Sequence, residues 1–116
     1  MASAVIKLPQ KAADRSAFVI HCELYDEAGA AMTPNSIRWG NYTLAGDVVN
    51  SKSAVSITAA DSFNIVLNGS DTAITTAGDT KRRVLIECSY NSATYGNNLV
   101  LNREVEYEIE DLPNIS

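Results

Sequence analysis

One histidine, one tryptophan, two cysteines and three prolines occur in 116 residues, and aromatic side chains make up only 7% of them. Each shortage closes off a class of function. With His21 alone, any Ser-His-Asp or Cys-His arrangement has to run through a single side chain. Cys22 and Cys88 have no companion in a CxxC spacing, so no zinc site is expected. The six glycines form no phosphate-binding loop of the P-loop or dinucleotide kind. Nine basic residues stand against fourteen acidic ones, a net charge of −5, so the basic footprint of a sequence-independent nucleic-acid binder is missing. No stretch approaches the roughly 18 consecutive apolar residues that a membrane helix needs. Residues 1–10 lack the apolar run and cleavage motif of a signal peptide, so a chain made in the cytoplasm and kept off the membrane is expected.

What is present is alternation. Residues 17–25 place Phe18, Ile20, Cys22 and Leu24 on one side and Val19, His21, Glu23 and Tyr25 on the other, the period-two pattern of a half-buried strand. Residues 37–44 repeat it with Ile37 and Trp39 toward a core, and Ala45-Gly46-Asp47 turns tightly into Val48-Val49 as in a hairpin. Residues 54–58 alternate Val55 and Ile57 with small polar residues, and Phe63, Ile65 and Leu67 alternate cleanly before Asn68-Gly69-Ser70-Asp71 ends that strand. Residues 81–90 point Val84, Ile86, Cys88 and Tyr90 one way. Residues 91–98 read as a loop bending at Gly96-Asn97. The last strand turns Val105, Tyr107 and Ile109 inward. Short strands at regular spacing, with turn residues between and no helical period, predict an all-β antiparallel sandwich or barrel. Hydrophobic residues at 46% and charged ones at 20% suit one globular domain, here residues 16–116. Residues 1–15 have no sustained period and read as an extended N-terminal arm, kept from helix by Pro9, whose Val5, Ile6 and Leu8 are the apolar anchors for docking on a neighbour.

The polar residues carry less chemistry. His21 is expected in mid-strand, facing solvent and diverging from Cys22. Asp71 and Asp79 match no calcium motif and read as solvated loop carboxylates. The sequons at Asn41 and Asn68 carry no weight without an export signal. The informative feature is the row Glu104, Glu106, Glu108 and Glu110, four carboxylates on one face of the last strand. Such a row keeps an exposed sheet from pairing with other chains, or it meets a basic partner. Arg83 faces the same side and is expected to neutralise part of it.

The order Cys22, Trp39, Cys88, each on the inward face of its strand, is that of antibody-type domains, although Ile86 stands where those carry a tyrosine. Both cysteines are expected as reduced, buried thiols; bonded, the loop they close would be worth about 4 kcal/mol. From about Phe18 onward the chain resembles small virion proteins of tailed bacteriophages. The resemblance rests on Trp39 followed by Gly46-Asp47-Val48-Val49-Asn50-Ser51, on Phe63-Asn64-Ile65-Val66-Leu67 leading into Gly69-Ser70-Asp71, and on Lys81-Arg82-Arg83-Val84-Leu85-Ile86-Glu87. It ends with Tyr95-Gly96-Asn97-Asn98-Leu99-Val100-Leu101-Asn102-Arg103-Glu104. It implies an immunoglobulin-like antiparallel β-sandwich and a virion structural protein. No catalytic residue, cofactor or metal is expected.

The leading expectation is a capsid decoration or cement protein that binds the major capsid protein, with Val5, Ile6, Leu8, Glu104, Glu106 and Glu108 as partner-binding residues and homo-oligomers possible. A head–tail junction or tail accessory protein is the structural alternative. A carbohydrate-binding β-sandwich module, with Tyr25, Tyr42 and Tyr95 as stacking residues, is the alternative of a different class.

Overall fold

The alternating stretches become strands. In the computed structural model, which describes residues 2–8, 12–76 and 78–111, the chain runs through β1 (Ser3–Lys7), β2 (Ala12–Ala13), β3 (Phe18–Tyr25), β4 (Ser36–Thr43), β5 (Val55–Ile57), β6 (Ser62–Leu67), β7 (Lys81–Ser92) and β8 (Gly96–Glu110). A 3-10 turn at Gly69–Asp71 follows β6. The strands form two sheets, ordered β1-β3-β6 and β2-β8-β7-β4-β5. Every pairing is antiparallel except that of β2 with β8. The molecule is an all-β sandwich.

The inward faces are those the alternation predicts. Phe18, Ile20, Cys22 and Leu24 of β3 and Phe63, Ile65 and Leu67 of β6 share one buried cluster with Ile37 and Trp39 of β4, Val84, Ile86 and Cys88 of β7, and Val105, Tyr107 and Ile109 of β8. Each fully buried Leu, Ile or Phe contributes about 1.5–3 kcal/mol of transfer free energy, so this cluster is the main source of stability. Across the sheets the Phe18 ring stacks on Tyr107 with centroids 5.3 Å apart, a geometry worth about 1 kcal/mol beyond area burial. Cys22 and Cys88 are both buried and free.

Three expectations change. The first is the arm. Its described part is paired within the chain: Ser3–Lys7 lie opposite Tyr25 to His21 in register, and Ala12–Ala13 lie beside Ile109 and Glu110. A strand that uses small Ala4 and a single Ile6 toward the core has too little alternation to be read from sequence. Pro9, with Gln10 and Lys11, falls outside the described residues.

The second is the loop at residues 91–98. Backbone pairing extends β7 to Ser92 and starts β8 at Gly96, so the reversal falls at residues 93–95. Gly96 adopts φ +114°, a backbone angle that glycine reaches without steric cost. Residues 96–98 are exposed on both faces, and a strand that buries neither face has no hydrophobic period to show.

The third is the hairpin after β4. The tight turn forms, with Thr43 O accepting from the Gly46 N–H at 3.0 Å and the Thr43 N–H donating to Asp47 O at 2.9 Å, but it continues only as one bridge between Tyr42 and Val48. The lasting partner of β4 on that side is β5.

Gly40 on β4 makes room for a neighbour. A Cβ there would lie 2.6 Å from Cε2 and Cζ of Tyr42, whose ring covers the glycine on the outer sheet face. Gly40→Ala is therefore expected to push the end of the partly exposed Tyr42 ring aside and to cost about 1 kcal/mol or less. Tyr42→Ala in the same chain should recover most of that loss, which urea denaturation of the single and double variants measures.

Candidate functional site

Three polar groupings stand out from the scaffold. The first follows from β8, a fifteen-residue strand paired on one side with β7. On its other edge β2 reaches only Ile109 and Glu110, so from Gly96 to Glu108 no strand covers that edge among the described residues. Glu104, Glu106 and Glu108 project from the outer face here, opposite Leu85, Arg83 and Lys81 of β7. Arg83 Nη1 donates to Glu104 Oε1 at 3.3 Å, as the shared face predicts, and its Nη2 donates to Leu44 O. On the same sheet face Arg38 Nη2 meets Glu87 Oε2 at 3.0 Å. These exposed pairs are worth about 0–1 kcal/mol each, so they leave the acidic character of the strand largely intact.

The expected anchors at the N-terminus divide. Val5 and Leu8 are 42% and 43% exposed, whereas Ile6 sits opposite Cys22 and packs on the chain's own core. Ile6 is thereby engaged within the fold.

The second grouping lies on the outer face of the three-stranded sheet. His21 faces outward as expected, with Nδ1 2.8 Å from Asn64 Oδ1 and Nε2 3.3 Å from Glu23 Oε2. Ser62 Oγ lies 3.4 Å from the same Nε2. Asn64 and Ser62 stand on β6 directly opposite His21 and Glu23. With Asn64 accepting the Nδ1 proton, Nε2 accepts from Ser62 in the neutral ring and donates to Glu23 when the ring is charged. A serine and a carboxylate thus compete for one nitrogen, and the arrangement cross-links β3 to β6. The hydrogen bond from Tyr25, followed by that from His21, holds the Glu23 carboxyl below its ordinary range, and Tyr25 is raised in return by the bond it donates to Glu23.

The third grouping is buried, and only part of it was legible beforehand. At the end of the sandwich where β4, β6 and β8 meet the connecting loops, Asn41, Asp71, Thr72 and Arg82 are almost fully enclosed. Asn41 accepts from Tyr107 Oη and donates to Asp71 O, both at 2.9 Å. Asp71, expected as a solvated carboxylate, accepts from Asn50 Nδ2 at 2.9 Å and from the Asn68 N–H at 3.0 Å. Thr72 Oγ1 donates to Ser16 O at 2.8 Å, and Asp14 accepts from the Ile74 N–H at 3.0 Å. Four separate chain segments are thereby tied to one another.

Arg82 is the most consequential residue of the set. Its guanidinium donates to Asp79 and to the carbonyls of Asp79, Lys81 and Ala73. Asp79, also expected as a solvated loop carboxylate, accepts from Arg82 Nη1 at 3.3 Å while its side chain stays 39% exposed. Position 82 shares the inward parity of Val84, Ile86 and Cys88, and position 41 that of Ile37 and Trp39; parity was the available signal for both. Charge obscured it, because Arg82 stands between Lys81 and Arg83 on the strand beside the glutamate row.

Among the described residues no group of three or more His, Cys, Asp or Glu side chains is placed to hold a metal ion. No described helix is long and apolar enough to cross a membrane. No family model, curated protein or solved structure matches the chain.

Proposed function

We propose that this chain is a non-enzymatic virion structural protein of a tailed bacteriophage, an immunoglobulin-like module that decorates the capsid by binding the major capsid protein. Its sheet order supports the immunoglobulin-like reading, with β1 joining one sheet beside β3 and β2 crossing to the other beside β8. The observation that carries the binding role is β8. It is long, open along most of one edge and lined by Glu104, Glu106 and Glu108.

Two copies meeting edge to edge along β8 would bring like charges together, which disfavours self-pairing there. A partner presenting lysines and arginines gains instead, because complementary charge steers encounter and sets register. Val5 and Leu8 add exposed apolar contacts elsewhere on the same domain.

Quantitative mass spectrometry of purified particles tests this. A decoration protein is expected at a copy number comparable with that of the major capsid protein. A number matching one ring of subunits moves the chain to the head–tail junction, and absence from particles overturns the virion reading. Reversing charge with Glu104→Lys and Glu106→Lys is expected to weaken attachment to assembled capsids and to flatten its dependence on salt. Unchanged attachment removes β8 as the contact surface.

A further inference from the structure

Backbone bonding at the far end of β8 fixes how its open edge is oriented. The Ile109 N–H donates to Thr80 O at 2.7 Å, toward β7, whereas Glu110 O accepts from the Asp14 N–H at 2.9 Å, on the side that β2 reaches. Successive strand residues point their backbone groups to opposite sides, and the pairing of β7 with β8 is regular from Lys81 to Tyr90. Leu101, Arg103, Val105 and Tyr107 therefore direct their N–H and C=O toward β7. Val100, Asn102, Glu104 and Glu106 turn theirs to the uncovered side, where no described strand meets them. Such an edge is a template for one more strand, and β2 already occupies its last two positions.

The side chains along the same stretch indicate what sequence would pair there. Residues opposite one another on paired strands share a sheet face. On the outer face an added strand meets Val100, Asn102, Glu104 and Glu106, all exposed, with Arg83 one strand further in against Glu104. On the inner side it meets Leu99 and Leu101, half-buried against the core, and then the exposed Arg103. Basic residues therefore belong on the outer face, opposite the two glutamates, and apolar ones on the inner side beside the leucines. A slip of one residue would set lysines against Arg103 and apolar side chains against carboxylates, so the pattern also fixes the register. The β8 strand of a second copy brings the wrong charge.

We propose that β8 binds its partner by strand addition. An extended segment, with lysine or arginine at alternate positions and apolar residues between them, pairs through its backbone with residues 100–106. This rests on the binding role proposed for β8 and supplies its mechanism. Backbone pairing gives the contact its affinity, and the alternate side chains give it selectivity. A folded partner with a basic surface would meet the glutamates but leave the hydrogen-bonding groups of the edge to water.

The test uses the full chain and an end-blocked peptide of about nine residues that alternates lysine and valine. With up to about millimolar peptide, deuterium exchange of the Val100, Asn102, Glu104 and Glu106 amides is expected to slow at least about tenfold. The Leu101, Arg103 and Val105 amides, already paired with β7, should change less. N-methylating all the lysines or all the valines of the peptide should abolish protection in one case and spare it in the other, because only one set of N–H groups faces β8. A peptide of the same composition with its lysines and valines in two blocks should give none. Asn102→Pro removes an edge-facing N–H without breaking the ladder to β7, and should abolish binding while the β7 amides stay protected. No protection, equal protection by the block peptide, or indifference to both methylation patterns overturns the proposal. Capsid attachment separates it from the wider reading. Attachment that is weakened by Glu104→Lys with Glu106→Lys but unaffected by Asn102→Pro keeps the β8 contact and overturns strand addition. Protection by the peptide in a chain that particles lack keeps strand addition and overturns the virion reading.

Discussion

Replacing Asn41 with leucine is expected to destabilise the domain by about 3–4 kcal/mol, a large part of the roughly 5–15 kcal/mol that such domains possess. The side chain is fully buried, and leucine has nearly its shape, so the loss does not come from a cavity. It comes from the partners. Tyr107 Oη and Asp71 O each lose their 2.9 Å bond to the amide, and each is left buried without a replacement, at about 1–3 kcal/mol apiece. Tyr107→Phe removes only the hydroxyl and leaves one acceptor on Asn41, so about 1–2 kcal/mol is expected there. In the double variant the two losses should sum to less than their total, because both include the same broken bond. Equilibrium urea denaturation of the four proteins measures the cycle, and Asn41→Leu within about 0.5 kcal/mol of the parent would show that the bridge is dispensable.

That same bridge marks where the sequence ceased to be readable. The inward faces of β3, β6 and β7 follow from alternation, since Phe18, Ile20, Cys22 and Leu24, then Phe63, Ile65 and Leu67, then Val84, Ile86 and Cys88 are uninterrupted apolar series. The outward row from Glu104 to Glu110 was legible for the same reason, because a two-residue period fixes which side a strand residue takes. Asn41 and Arg82 obey that period too, but a polar residue at an inward position says only that a partner is needed. Their partners, Asp71, Tyr107, Asp79 and Ala73, lie on other elements or in loops whose path alternation does not describe.

The edges of the sheets were hidden for a different reason. β1 and the first residues of β8 are held by backbone hydrogen bonds and bury little side-chain surface, so composition carries no trace of them. The buried network combines both difficulties, because Asn41 and Arg82 sit on strands while Asn50, Asp71 and Asp79 reach it from loops that carry no period. Candidate surfaces on regular strands can be found from a single sequence, whereas a site built between loops requires the fold.

Raising the pH from about 8 to about 10.5 is expected to lower the stability of the domain by about 2–4 kcal/mol. Burial, reinforced by the neighbouring Cys88 and partly offset by Arg103, pushes the Cys22 thiol from its ordinary value of 9.0 up to about 12. Burial alone raises Cys88 to about 11. Burial likewise lifts the Tyr107 hydroxyl from 10.0 to about 12, against the opposing charge of Arg82. The unfolded chain therefore releases these protons at a lower pH than the folded one. Between the two sets of values the native state holds more protons, so stability is fully present below about pH 9 and is lost as pH rises through the folded values. Each pH unit traversed by one such group is worth about 1.4 kcal/mol, and the two thiols act on one another, so their contributions overlap and do not add in full. Urea midpoints across this range, for the parent and for Cys22→Ala with Cys88→Ala, separate the sources. The double variant starts from a lower stability because two side chains shrink, but its midpoint should stay level until about pH 10, where Tyr107 and Tyr25, both raised, take over. A parent midpoint that does not fall between about pH 8 and 10.5 would mean that the thiols ionise as readily in the folded protein as in the unfolded chain, contrary to their burial between the sheets.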